Sequence, residues 1–158
     1  WAVRGLWLAS CEGAPMVRCD LTRAYHDVEA RLAATDPALL QRLRRLWPSE
    51  TRSLNDHWRR AWAEDGTCYS PADPACLLRL ADRTRADGTR AMSNYFAAAL
   101  GLADQYDVYA ALAQAGIVPG GTFLRVEIET ALREAFGGSL AFSLRCMDGA
   151  LGEVALRF

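Results

Sequence analysis

The stretch "WRRAWAEDGTC", residues 58–68, decides how the rest of the chain is read. With Leu54 ahead of it, Trp58 and Trp62 complete an i, i+4, i+8 series, so three large apolar side chains line one face of a helix. Ser53 or Asn55 is placed to cap that helix and Gly66 to end it. Arg60, Ala61, Glu64 and Asp65 stand around the tryptophans, a mixed set that a buried stripe does not require.

Upstream, "WAVRGLWLA" alternates loosely and reads as an opening strand, followed by the turn-rich "SCEGAPMVRCD". Asp20 or Thr22 can cap "RAYHDVEARLAA", and Asp36-Pro37 opens "ALLQRLRRLW", which Pro48 stops. Downstream, residues 69–89 read as a loop with a short helix. "MSNYFAAALGLADQY", "VYAALAQAG" and "LRVEIETALREAFGG" have amphipathic helical periodicity, with Gly116 and Gly137 as stops. "LAFSLRCM" and "LGEVALRF", split by Asp148-Gly149, form a closing hairpin. The expected fold class is α+β: an antiparallel sheet packed against several helices, in a single domain over residues 1–158.

Composition narrows the function. A net charge of −1, with no run of like charge, lacks the cationic excess of a non-specific nucleic-acid binder. All 18 basic residues are arginine, which reads as biased codon usage rather than a need for forked donors. No apolar run reaches the roughly 20 residues of a membrane span. A chain opening at Trp1 reads as a processed product or as part of something longer. Cys11, Cys19, Cys68, Cys76 and Cys146 contain no C-x-x-C pair and only two histidines could assist them, so neither metal nor cofactor is expected. Disulfides fit better, which places the chain in the secretory pathway, outside the cell or in an oxidising organelle lumen.

Two segments in order then carry a resemblance. "RGLWL" at residues 4–8 is similar to the first motif of the ribonuclease T2 family, H-G-L-W-P, and "WRRAWAEDGTC" aligns without a gap to its second, W-x-H-E-W-x-K-H-G-T-C. "YFAAALGLADQYDVYAALAQAGIVPGGTF" and "GEVALRF" extend the likeness, closest to fungal-type members, from Val3 to Phe158. It implies a ribonuclease T2-like fold and metal-free RNA cleavage. In that chemistry one histidine takes the ribose 2′-hydroxyl proton and another protonates the leaving oxygen. A glutamate and a lysine stabilise the phosphorane on the way to a cyclic phosphate. Imidazole suits the task because it exchanges protons near neutrality.

Matched position by position, Arg4 replaces the first-motif histidine, while Arg60, Ala61, Glu64 and Asp65 replace the second motif's His, Glu, Lys and His. Gly5, Leu6, Trp7, Trp58, Trp62, Gly66, Thr67 and Cys68 retain the frame. Cys19 with Cys68 resembles the family's central disulfide; Cys11, Cys76 and Cys146 stay unassigned. The chain also looks short of the family's N-terminal strand and C-terminal extension, which implies a sheet edge covered by another segment or protein.

The substitutions set the functional expectation. Arginine holds its proton and cannot act as a general base, and Glu64 with Asp65 puts negative charge where a phosphate would sit. The expectation is therefore a catalytically inactive member, retained as a structural or binding subunit whose partners are other protein subunits rather than RNA. Arg4 and Arg60 would fill the old site with forks to the new carboxylates. Two alternatives stay open: a non-cleaving RNA or anion binder through Arg4 and Arg60, and an active endoribonuclease with relocated catalysts, His57 and Asp65. His57 itself reads as a helix-surface or packing residue and His26 as solvated. Tyr69, Tyr95, Tyr106, Tyr109, Phe96 and Phe123 read as core rather than as a base-stacking set.

Overall fold

The structure, a computed structural model, describes residues 1–10, 12–49, 52–69 and 88–158. The chain divides into two compact units, Trp1–Leu102 and Ala103–Phe158.

In the first unit a minimal ladder pairs β1 (Leu8–Ala9) with β2 (Pro15–Met16), antiparallel. The strand expected over residues 1–9 is thus two residues long. Its neighbours bond to other elements instead: Val3 N–H donates to the carbonyl of Leu46 at 2.7 Å, and Tyr95 Oη donates to the carbonyl of Leu6 at 3.1 Å. Backbone groups satisfied this way have no need of a ladder. The helices α1 (Val28–Thr35), α2 (Pro37–Leu46), α3 (Leu54–Glu64) and α4 (Gly88–Gln105) follow.

Local capping explains these limits. Asp20 caps a 3-10 turn at Leu21–Arg23, and the carbonyl of Arg23 accepts the Trp62 indole N–H at 2.6 Å instead of continuing a helix, so α1 waits until Val28. Asp36 accepts from Leu39 N–H at 2.9 Å ahead of Pro37, and Ser53 rather than Asn55 caps α3, accepting from Asp56 N–H at 3.1 Å. Asn55 has a different task. It accepts from Glu29 N–H and donates to the carbonyl of His26, tying α3 to the start of α1. The core inside these helices is aromatic: Trp47, Trp58, Trp62, Tyr95 and Phe96 are fully buried, with ring centroids 5.1 Å apart for Tyr95 and Phe96, 5.5 Å for Trp47 and Phe96 and 6.0 Å for Trp62 and Tyr95. Tilted and edge-on pairs at such separations add to area burial.

The second unit packs α5 (Val108–Gln114) and α6 (Arg125–Phe136) with a hairpin of β3 (Ala141–Met147) and β4 (Ala150–Arg157). Asp107 caps α5, while Gly116 and Gly137 follow α5 and α6 at positive φ, as expected of stops. Asp148 and Gly149, with φ of 51° and 79°, supply the left-handed pair that a tight hairpin turn needs. A bulge falls between Arg145 and Cys146. Among the described residues the antiparallel pairing is divided between two small ladders, and the fold class is α+β. The loop expected at 69–89 lies mostly outside the described residues, as do Cys11 and Cys76; its last two residues, Gly88 and Thr89, open α4.

Candidate functional site

Helical periodicity gives α3 two faces. Trp58 and Trp62 point inward, their indole N–H groups donating to the carbonyls of Trp47 at 3.0 Å and Arg23 at 2.6 Å. One turn further, Gly66 lies so close to the core that an added Cβ would stand 2.2 Å from the Trp62 ring and 2.9 Å from Tyr95, so the backbone approach itself demands glycine. Thr67 is buried and donates to the carbonyl of Ala63, and buried Cys68 closes a disulfide with Cys19. Trp58, Trp62, Gly66, Thr67 and Cys68 are thus all buried. Leu6 packs against the same core, but Trp7 does not belong to it. It is 56% exposed, and its ring folds back to within 3.1 Å of where a Cβ on Gly5 would stand.

Arg60 and Glu64 lie on the other face. Glu64 Oε1 accepts from Arg60 Nε at 3.1 Å and from Arg18 Nη2 at 3.4 Å. Burial alone would raise the Glu64 carboxyl, but the two guanidinium hydrogen bonds outweigh it and hold it below the ordinary carboxylate range. The second cation on Glu64 is thus Arg18, where the sequence reading placed Arg4; the Arg4 charge is felt instead at His57. Arg18 is gripped twice, since its own N–H donates to the carbonyl of Glu64 at 2.7 Å with φ at 53°. The signal that could have found it was the adjacent Cys19, because a bond to Cys68 brings residue 18 to the end of α3. Ala61 packs against the core.

Asp65, the C-cap of α3, is 9% exposed. Burial first, and then the neighbouring Glu64 charge, push its carboxyl up to about 6. A carboxyl raised in the folded chain binds its proton more tightly there than in the unfolded chain, so its contribution to stability is present in acid and lost as pH rises from about 4 to 6. Replacing Asp65 with Asn should remove that loss. Denaturation across a pH series is expected to show Asp65→Asn gaining about 1–3 kcal/mol on the parent chain between pH 4 and 7, and a constant difference would refute the assignment.

His57 is half-buried with its ring edge-on to Trp47, at a centroid separation of 6.5 Å. Desolvation, then the charges of Arg52 and Arg4, lower its proton affinity. This is a packed imidazole, and His26 is exposed, as read from the sequence. Tyr69, Tyr95 and Phe96 are core; Tyr106 meets Phe136 edge-on and Phe158 at a tilt, Phe123 is half-buried, and Tyr109 is 48% exposed. Among these side chains Asp65 is the carboxyl that burial brings to about 6.

Comparison with known proteins follows from this geometry. A model of the Ribonuclease T2 family matches residues 1–158. Ribonuclease Rh of Rhizopus niveus is 32% identical over an alignment that takes in 100% of this chain and 64% of that protein. Ribonuclease T2 of Aspergillus oryzae is 31% identical over 98% of this chain and 54% of its own length. The crystal structure of Actibind, a T2 ribonuclease, aligns with a TM-score of 0.79 at 28% identity, over 96% of this chain and 63% of that one. The chain thus spans between about half and two thirds of these relatives' lengths.

Proposed function

The chain belongs to the ribonuclease T2 family, and on that premise we propose that it is a member without activity on RNA, kept as a binding or structural subunit of a larger protein assembly. The observation that carries this reading is the ion-paired Glu64. Where the family motif has a lysine for the phosphorane, this chain has a carboxylate whose nearest cations, Arg60 and Arg18, already donate to it. Arg4 and Arg60 cannot serve as bases at the histidine positions. The Cys19–Cys68 disulfide fits an oxidising compartment, such as the secretory pathway or an organelle lumen. The partners in this reading are protein subunits, and RNA is not one.

The test is incubation of the purified chain with mixed RNA across acidic to neutral pH, with Ribonuclease Rh in parallel and products examined for cyclic phosphate ends. No cleavage at high protein concentration is the expected result. Cleavage that survives further purification and falls with His57→Ala would overturn the proposal in favour of relocated catalysts. Salt-dependent retention of intact RNA, lost in Arg60→Ala, would instead favour the anion-binding alternative.

A further inference from the structure

The second unit carries a surface that the ribonuclease site does not use. A groove of about 400 Å³ runs beside α6, floored by Ala115, Ile117, Phe123 and Ala131 and edged by Glu127, Thr130 and Glu134. Leu124, Val126 and Val118 stand nearby at 67%, 58% and 50% exposure, unusually open for large apolar side chains.

The charges of α6 are sorted between its faces. On one side Arg125 and Arg133 both bind Glu129, at 2.7 and 3.2 Å, and Arg133 also covers the Phe142 ring. On the groove side, Glu127, Thr130, Ala131 and Glu134 follow the i, i+3, i+4, i+7 pattern of a single helical stripe. There the carboxylates are not neutralised. Glu127 accepts the backbone N–H of Leu124 at 2.6 Å, and Glu134 enters no ion pair or hydrogen bond among the described residues. Two carboxylates with no ion pair among the described residues, about 10 Å apart along the axis, therefore bracket an apolar floor.

We propose that this groove docks a cationic amphipathic helix of a protein partner, with apolar side chains on the floor and an arginine or lysine at each end meeting Glu127 and Glu134. The match is geometric as well as electrostatic. Residues i and i+7 of a partner helix repeat the spacing of the carboxylates, and the intervening i+3 and i+4 positions face the floor. The inference goes beyond the proposed loss of RNA chemistry and does not depend on it, because the groove shares no residue with the α3 site.

The experiment uses the full chain and a synthetic helix-forming peptide with leucines on one face and arginines at i and i+7, read by fluorescence anisotropy at several salt concentrations. Binding that weakens with salt is expected. Glu134→Arg should lower affinity about tenfold or more, and a peptide whose facing arginine is changed to glutamate should restore it on that variant. Thr130→Phe, which obstructs the groove without adding a charge beside either carboxylate, should also reduce binding. Circular dichroism of each variant checks that it is folded. Equal affinity for a peptide with both arginines replaced by glutamine, or no binding of the arginine peptide below about 1 mM, would overturn the proposal. So would self-association of the chain in sedimentation that Glu134→Arg abolishes, which would make a second copy the occupant.

Discussion

Replacing Trp62 with alanine is expected to cost about 3–5 kcal/mol of stability, the largest single-residue effect in the first unit. The indole is fully buried, stacks with Tyr25 at 6.4 Å, meets the tilted ring of Tyr95 at 6.0 Å, and lies beneath the Arg23 guanidinium. Truncation leaves a cavity that three neighbouring elements must collapse to fill, and it strips the Arg23 carbonyl of its indole donor. Trp62→Phe separates the two losses, because it keeps most of the volume and removes the N–H, which is worth about 0.5–1.5 kcal/mol. Urea denaturation of both variants reads the difference. A Trp62→Ala chain within 1 kcal/mol of the parent would mean that the indole is not the keystone of this core.

Removing the Cys19–Cys68 disulfide is expected to cost about 4 kcal/mol in the chain-entropy view, because it joins residues 49 apart in sequence. A double serine variant measures this without reductant. The loss should extend to the surface, since Cys19 holds Arg18 against the end of α3, where its main chain and guanidinium both meet Glu64. The Glu64 carboxyl should accordingly titrate higher in the variant, which nuclear magnetic resonance of that side chain can follow. A variant as stable as the parent, with Glu64 unmoved, would show the bond to be incidental.

The legible features were those with local causes. The stripe of Leu54, Trp58 and Trp62, the caps at Asp36 and Ser53, and the Asp148-Gly149 turn each depend on residues within a few positions of one another, and each appears where its spacing placed it. Other features depended on tertiary partners. Residues 1–7 looked like a strand because their alternation is real, but Leu46 and Tyr95 take up their backbone groups. Helix α1 starts late because Trp62, 39 residues away, captures the Arg23 carbonyl. In the candidate site, Arg60 and Glu64 were predictable as an i, i+4 pair, and their contact is seen. Arg18 was legible only through its neighbour Cys19, since its approach depends on the bond to Cys68 far along the chain. Trp7 shows the limit of reading burial from a motif: its neighbours Leu6 and Leu8 pack on the core while its own ring remains outside.

The two faces of α3 also bear on how such a chain changes over generations. Alterations at Trp58, Trp62 or Gly66 collide with the interior and are visible to selection through folding. Positions 60 and 64, more than half and about a third exposed on the other face, can change almost without consequence for stability. Substitution at these two positions therefore leaves the architecture intact, and the same independence makes them a place where a lineage can try new chemistry without first rescuing the fold.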